Sequence, residues 1–263
     1  MSQPPFVISI QSQVVFGHVG NSAALFPMQA AGLEVAAIPT VIFSNTPDYP
    51  TLRGRALPPD LFSDLLQGSL DVALMVADFV AEAKSVNPRL TYLCDPVMGD
   101  IAPGLYVPEA IADVMRDRLL PMADLATPNP FELGWLTGQR INALPDLKAA
   151  KTRLRLAPKA QLIATGCALE ETPFGHIESV ILGPESISRH PTQYLPTALP
   201  GTGDLFVGLI VAGLARGLGL SRAVDIAQGL TSRALNHASA LGAGEVVLSE
   251  PEFRRALLAL DPN

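Results

Sequence analysis

Residues 6–43 read FVISIQSQVVFGHVGNSAALFPMQAAGLEVAAIPTVIF, and this stretch decides the fold. Its two ends, Phe6–Gln11 and Glu34–Phe43, are short apolar runs rich in Val and Ile, which indicate buried strands. Between them, Asn21–Ala31 is predicted to be a helix. A strand, a helix and a second strand in this order form the unit from which parallel sheets are built.

The same alternation continues along the rest of the chain. Further strands are predicted at Leu90–Cys94, Leu125–Ala126, Gln161–Thr165, Ser179–Leu182 and around Ser186–His190. Further helices are predicted at Asp60–Leu66, Leu70–Val86, Pro108–Arg118, Pro130–Thr137, Leu147–Leu156, Asp204–Gly217, Ser221–Leu241 and Glu250–Leu260. Because no repeat or low-complexity linker divides the sequence, we expect one α/β domain over residues 1–263, with a mostly parallel central sheet covered by helices.

Composition argues against several classes of protein. Apolar residues make up 48% of the chain, charged residues 16%, and the net charge is -7, which predicts a compact protein without nucleic-acid partners. No run of about twenty apolar residues is uninterrupted, and no basic region precedes the first apolar run, so neither a membrane span nor a secretory signal is expected. Cys94 and Cys167 lie in apolar runs and suit reduced thiols in a cytoplasm. The histidines lack zinc-ligand spacing.

The sharpest chemical motif is PGTGD at residues 200–204. Two glycines around a small hydroxyl residue, directly before a helix, allow successive backbone N–H groups to converge on an anion, and the helix dipole favours negative charge there. The carboxylate of Asp204 would lie beside this anion hole and could take a proton from an attacking alcohol. The alternative is that Gly203 and Asp204 only cap the helix, since Asp is a preferred N-cap.

Other polar segments follow the predicted strands, where ligands of such sheets bind. Ser12 offers a hydroxyl at the end of the first strand, and Gly17 and Gly20 permit a ligand to approach the backbone, although a plain turn is the alternative. Asp95 and Asp100 bracket a Pro- and Gly-containing turn, and their carboxylates suit a magnesium ion that bridges nucleotide phosphates. A solvated turn is the alternative there.

Five motifs follow one another along the chain: QSQVVFGHVGNS at Gln11–Ser22, PTVIFSN at Pro39–Asn45, DPVMGD at Asp95–Asp100, TPNPFEL at Thr127–Leu133 and GTGD at Gly201–Asp204. In this order they resemble the motifs of the ribokinase superfamily and specifically of its pyridoxal kinase branch. The resemblance implies a ribokinase-like three-layer α/β/α fold, a homodimer, and phosphorylation of the 5′-hydroxymethyl group of pyridoxal by ATP. Ser44–Pro59 then corresponds to a mobile lid over the substrate.

The resemblance also assigns roles to individual residues. Asp204 is the catalytic base, with Gly201, Thr202 and Gly203 as the anion hole that also contacts ATP. The substrate residues are Ser12, Val15, Phe16, His18, Thr40 and Phe43, together with Asp204. The remaining ATP-binding residues are Asp95, Tyr106, Thr127, Asn129, Glu132 and Thr165. The magnesium ligands are Asp95, Asp100 and Glu132.

Two segments depart from the family pattern. The stretch between Leu57 and Cys94 is too short for the family's next strand, so we expect one central strand to be absent, with Leu70–Val86 as the following helix. In the alternative interpretation, Asp71–Val76 is that strand. Thr197–Leu199 stands where many relatives have an acidic residue, which puts the family's monovalent-cation site in question.

Two other functions remain open at this point. A hydroxymethylpyrimidine kinase of the same superfamily shares the anion hole and Asp204, but is not expected to carry the Gln11–Ser22 motif in this form. A vitamin B6-binding protein without turnover would follow if the missing strand disrupts catalysis.

Overall fold

The computed structural model describes residues 5–47, 49–66, 72–197 and 199–260. Its strands are β1 (Phe6–Phe16), β2 (Glu34–Asn45), β3 (Gly54–Ala56), β4 (Leu93–Cys94), β5 (Gly99–Asp100), β6 (Gly104–Leu105), β7 (Leu125–Ala126), β8 (Gln161–Cys167), β9 (His176–Leu182) and β10 (Ile187–Gln193). Its α-helices are α1 (Asn21–Ala30), α2 (Pro59–Leu66), α3 (Val72–Val86), α4 (Glu109–Val114), α5 (Pro130–Thr137), α6 (Leu144–Arg153), α7 (Thr202–Ala215), α8 (Leu220–Leu241) and α9 (Pro251–Leu258). Among these described helices, none is long and apolar enough to cross a lipid bilayer.

The chain divides into two compact units. The first contains the described parts of Met1–Leu65 and Leu195–Asn263, and the second those of Leu66–Tyr194. In the first unit, β1 and β2 pair in parallel and β3 adds antiparallel to β2. The predicted strand–helix–strand unit is therefore confirmed. However, β1 continues to Phe16 because β2 supplies partners as far as Asn45, so Ser12 lies inside the strand and not at its end.

A bulge interrupts the pairing of β1 and β2 at the point where the site residues lie. Gln11 pairs with Pro39, but Gln13 pairs with Ile42, so the partner strand carries two residues opposite Ser12. Proline has no N–H to donate to the ladder, which explains the interruption. The buried side chain of Asn21 bridges the two strands nearby, because its amide donates to the carbonyls of Gln11 and Ile38 at 3.4 Å each.

Helix α7 packs closely against α1 through a glycine. Gly208 lies in the interior of α7, and a Cβ atom there would stand 2.9 Å from both Cα and the carbonyl oxygen of Ala24. Ala24 itself is completely buried. The lack of a side chain at Gly208 therefore allows the two helices to lie this close together.

Replacing Gly208 with alanine is expected to destabilise the protein by about 1–3 kcal/mol, because the new methyl group collides with the α1 backbone. Gly229→Ala is the matched control, since Gly229 also lies within a helix but a Cβ there has nothing within 4 Å. That substitution should be neutral or stabilise by up to about 1 kcal/mol through helix propensity. Urea unfolding of both variants checks this, and equal unfolding midpoints would contradict the packing argument.

The second unit contains a mixed sheet in the order β10-β9-β8-β7-β4. The pairs β4–β7 and β7–β8 are parallel, whereas β8–β9 and β9–β10 are antiparallel. Fully buried Leu120, Leu133, Leu147 and Leu162 belong to its core. A two-stranded hairpin, β5–β6, lies between β4 and α4 and was not predicted, since strands of two residues have no readable alternation.

Helix α5 has the bounds that the sequence predicts. Asn129 is its N-cap and forms a capping box with Glu132, with Pro130 in the first turn and Gly138 in the left-handed conformation at the C-cap. The start and stop signals therefore all lie within the segment itself. By contrast, α6 begins at Leu144, three residues before its predicted start at Leu147, because its first turn contains Pro145 and Asp146.

The short segment between Leu57 and Cys94 contains α2 and α3 and no strand before β4 among its described residues. The alternative in which Asp71–Val76 is a strand is wrong for residues 72–76, which are helical; Asp71 and the predicted helix start at Leu70 lie outside the described residues. The described strands form separate hydrogen-bonded sheets in the two units. Within the described residues of this segment, the strand that the family pattern places here is therefore not present.

Candidate active site

The glycine loop at residues 201–204 opens α7, as the sequence predicts. Gly201 is the N-cap, with φ 79°, and no side chain caps the helix. Thr202 Oγ1 donates to the carbonyl of Leu199 at 2.6 Å, which fixes the approach to the loop. Asp204 lies in the first turn of α7 and not at the cap, so the alternative in which it only caps the helix is wrong.

The carboxylate of Asp204 binds the loop that follows β1. Its Oδ2 accepts a hydrogen bond from the backbone N–H of Gly20 at 2.8 Å. Burial raises the pKa of the Asp204 carboxyl, and the hydrogen bond from Gly20 opposes that rise by favouring the charged form. A carboxylate with a raised pKa, held by one backbone amide, is suited to accept a proton from an alcohol.

Two glycines allow the three segments of this site to approach one another. A Cβ atom on Gly201 would overlap the carbonyl oxygen of His18, and one on Gly20 would overlap both the carbonyl and the Oγ of Ser12. Both glycines have positive φ values, 79° and 54°. The first unit therefore brings together Ser12, His18, Gly20 and the Gly201–Asp204 loop, which are far apart in the sequence.

The other predicted substrate residues lie on the same sheet. Thr40 and Phe43 are partly buried in β2, and Thr40 lies in the bulge opposite Ser12. Val15 and Phe16, at the end of β1, are 81% and 59% exposed, so they are not core residues. The ring of Phe16 packs edge-on against Tyr49, with centroids 5.7 Å apart. An aromatic pair of which Phe16 is exposed and Tyr49 is half-buried suits a wall for a flat ring.

Two residues of this region carried no usable sequence signal. Glu245, between α8 and α9, accepts a hydrogen bond from the backbone N–H of His18 at 3.0 Å. Thr46 is fully buried just after β2, and its hydroxyl has no hydrogen-bond partner among the described residues. Thr46 has no motif of its own, and the Gly242–Gly244 segment before Glu245 reads as an ordinary helix end, while its partner His18 lies 227 residues away in the sequence.

In the second unit, the predicted nucleotide residues form a connected hydrogen-bond cluster. Thr127 Oγ1 donates to Asp95 Oδ1 at 2.8 Å. Asn129 Nδ2 donates to the carbonyl of Gly99 at 2.9 Å. The backbone N–H of Thr165 donates to the carbonyl of Pro128 at 3.1 Å. The ends of β4, β7 and β8 thus hold Asp95, Thr127 and Thr165 in one place.

Glu132 is the buried carboxyl of this cluster. Its two oxygens accept from the backbone N–H groups of Met98, at 3.1 Å, and Asn129, at 2.8 Å. Burial, with a further contribution from the negative charge of Asp95, raises the pKa of Glu132 to about 8, although the backbone hydrogen bonds act to lower it. A cation placed near Asp95 and Glu132 would relieve this repulsion and favour both ionised carboxylates.

The three predicted magnesium ligands are not equivalent. Asp95 and Glu132 interact electrostatically, whereas Asp100 is exposed in β5 and its Oδ1 accepts from the N–H of Ile101 at 2.7 Å. Among the described residues, no cluster of three or more His, Cys, Asp and Glu side chains could hold a metal. Asp95 and Glu132 still fit Mg²⁺, because this ion usually keeps several waters and takes one or two carboxylates plus substrate phosphates. Tyr106 is 54% exposed next to the hairpin.

Comparisons with known proteins agree with this arrangement. Residues 68–249 match the model of the phosphomethylpyrimidine kinase family. The chain is 39% identical over 240 residues to a pyridoxine/pyridoxal/pyridoxamine kinase of Bordetella avium, covering 83% of this chain and 80% of the relative. Pyridoxal kinase from Leishmania donovani, solved with ADP and ginkgotoxin, superposes with a TM-score of 0.85 at 28% identity, covering 97% of this chain and 96% of that one. The structure of the same enzyme with ADP and pyridoxine superposes with a TM-score of 0.84 at 28% identity, covering 96% of this chain and 94% of that one.

A structural match over nearly the whole chain makes the molecule a small-molecule kinase of ribokinase-like α/β fold. Identity near 40% over four-fifths of both sequences narrows that class further. The chain belongs to the pyridoxal kinase family.

Proposed function

We propose that this chain transfers the γ-phosphoryl group of ATP to the 5′-hydroxymethyl group of pyridoxal, giving pyridoxal 5′-phosphate. Membership of the pyridoxal kinase family supports the substrate and the donor. The observation that carries the chemistry is the 2.8 Å hydrogen bond between Asp204 and Gly20, since it fixes a carboxylate of raised pKa beside a glycine loop at a helix N-terminus.

The reaction is an in-line transfer. Asp204 takes the proton of the substrate hydroxyl as the alcohol oxygen forms a bond to the γ-phosphorus. The bond between that phosphorus and the β,γ-bridging oxygen breaks, and ADP leaves with the electron pair. The backbone N–H groups of Gly201, Thr202 and Gly203 stabilise the charge on the moving phosphoryl group, assisted by the dipole of α7.

The hydrogen-bonded cluster of the second unit is the proposed nucleotide site. Asp95, Thr127, Asn129 and Thr165 would face the phosphates, with Tyr106 packing over them. When bound, Mg²⁺ would neutralise the negative charge of the β- and γ-phosphates. Asp95 and Glu132 are the residues that would hold it. Asp100 is not assigned as a direct ligand in this proposal, since its exposed carboxylate already accepts a hydrogen bond from the N–H of Ile101. We do not assign a monovalent-cation ligand, because Thr197 and Leu199 replace the expected acidic residue.

The pyridine ring is assigned to the surface around the glycine loop of the first unit. Ser12, His18 and Thr40 would bind its polar edge, and Val15, Phe16 and Phe43 would contact its faces. The segment Ser44–Pro59 would close over it as the predicted lid. This lid is anchored at its C-terminal half, because β3 pairs with β2 between Val41 and Phe43.

We further propose that the enzyme acts as one functional domain, as a homodimer, in the cytoplasm. The free, buried thiols of Cys94 and Cys167 support a reducing compartment.

The deciding experiment is a product assay. Purified chain with pyridoxal, ATP and Mg²⁺ is expected to form pyridoxal 5′-phosphate, measured by chromatography, whereas the reaction without ATP forms none. If pyridoxal binds but no product appears, the protein is a vitamin-binding protein and the kinase proposal is wrong. Turnover of hydroxymethylpyrimidine in preference to pyridoxal would instead favour the other branch of the superfamily, whose family model the chain also matches.

A further inference from the structure

Glu245 places a nearly buried carboxylate against the loop that follows β1. It lies in the connection between α8 and α9, and its side chain is 12% exposed. Among the described residues, both of its polar partners belong to His18, whose backbone N–H donates to Oε2 at 3.0 Å and whose Nδ1 lies 3.9 Å from Oε1. A buried carboxylate normally pairs with Lys or Arg, so a partner that is mainly a backbone amide indicates a role in fixing the backbone.

The backbone of His18 is held on both sides. Glu245 binds its N–H, and its carbonyl oxygen lies so close to Gly201 that any side chain there would overlap it. Two residues further along, the N–H of Gly20 donates to Asp204. Two carboxylates therefore accept hydrogen bonds from the backbone of this one short loop. One belongs to the α8–α9 connection and the other to the first turn of α7.

The glycine at position 17 allows the Glu245 carboxylate to approach the loop backbone. Gly17 has φ 106°, and a Cβ atom there would overlap Glu245 Oε2 and lie 2.5 Å from the Thr46 methyl group. The carboxylate thus lies directly over the loop backbone, where no side chain has room. The Gly17–Gly20 turn is not a plain surface turn, because its conformation depends on a residue from the opposite end of the sequence.

From these contacts we infer that Glu245 is a positioning residue for the B6 substrate. It holds His18 and, through the shared loop, the Gly20–Asp204 contact in the geometry that pyridoxal binding requires. The inference rests on the proposed function for its substrate, and it makes a distinction that the family motifs do not. The residue should affect mainly the vitamin side of the reaction, since it contacts the β1–α1 loop and none of the residues of the nucleotide cluster in the second unit.

The test compares Glu245→Ala and Glu245→Gln with the control Glu250→Ala. Glu250 caps α9 and pairs with Arg233, so its interactions lie away from the β1–α1 loop. Hydrogen exchange of the His18 amide, measured by NMR, is expected to be about tenfold faster or more in Glu245→Ala, because a hydrogen bond to a charged group is lost. The KM for pyridoxal is expected to rise about tenfold, with a much smaller change in the KM for ATP.

The variants separate positioning from a general loss of stability. Glu245→Gln keeps an acceptor oxygen for the His18 N–H, so it should recover most of the pyridoxal KM and of the exchange protection. Glu250→Ala should lower the melting temperature without changing the pyridoxal KM or the exchange rate of the His18 amide. Unchanged His18 exchange or an unchanged pyridoxal KM in Glu245→Ala overturns the inference. If the wild-type chain neither binds nor phosphorylates pyridoxal, the proposed function and the substrate half of the inference both fail, while the exchange rates alone still decide whether Glu245 fixes the loop.

Discussion

Asp204→Asn is expected to lower turnover by about 10²- to 10⁴-fold while leaving the fold intact, because the variant removes the proposed base but keeps an oxygen that can accept from Gly20. Initial rates with pyridoxal and ATP, together with a melting curve, measure both effects. Asp117→Asn is the matched control. Asp117 is an exposed aspartate that pairs with Arg116 and has no part in the proposed mechanism, so its variant should retain the wild-type rate.

The same residue sets the expected pH dependence. Asp204 must be ionised to accept a proton, and burial raises its pKa above the ordinary value for an aspartate. The acidic limb of kcat/KM should therefore lie at a higher pH than for an exposed aspartate, with activity falling as the pH drops through the raised pKa. In Asp204→Asn, the residual activity should lose this limb. An Asp204→Asn variant with wild-type turnover and an unchanged profile would remove Asp204 from the mechanism.

Gly201→Ala is expected to reduce kcat/KM by about 10²-fold or more, because the added methyl group overlaps the carbonyl oxygen of His18 and forces the anion hole out of position. Steady-state kinetics with pyridoxal measure the loss. The change also adds backbone strain, since φ at this position is 79°. A second glycine of similar φ is needed to separate the strain from the collision.

Gly217→Ala provides that control. Gly217 follows the other end of α7 with φ 87°, and a Cβ atom there has nothing within 4 Å. It should cost about 1–2 kcal/mol of stability from the left-handed backbone, with kcat/KM unchanged. If both variants lose activity to the same degree, the collision with His18 is not the cause, and the close approach of the two loops has no catalytic role.

The parts of the fold that the sequence predicted best are those whose determinants are local. Helix α5 carries its N-cap, its proline and its terminal glycine within ten residues, and its bounds were predicted correctly. The end of β1 was predicted wrongly. The strand was expected to end at Gln11 with a loop from Ser12, whereas pairing with the long β2 keeps the chain extended to Phe16. The strand β3 and the β5–β6 hairpin depend on tertiary pairing over two or three residues, which leaves no periodic pattern.

The same distinction applies to the site. The glycine loop and Asp204 are adjacent in sequence, so the local pattern alone is enough to predict their combined chemistry. Glu245 could not be predicted, because a single acidic residue after a long helix has no local context that distinguishes it from a surface residue. Asp100 shows the opposite case, since its spacing suggested a metal ligand but the turn that contains it leaves the carboxylate exposed.

The close approaches at Gly20 and Gly201 pack main chain against main chain in the loops that would form the inner side of the proposed vitamin pocket. Main-chain atoms are common to all twenty amino acids, so this side of the pocket cannot be reshaped by exchanging side chains without breaking the loop. Engineering for a different alcohol acceptor should therefore vary Val15, Phe16 and Thr40, whose side chains are exposed or lie in the irregular part of the sheet. Libraries that randomise these two glycines would mostly sample unfolded or inactive chains.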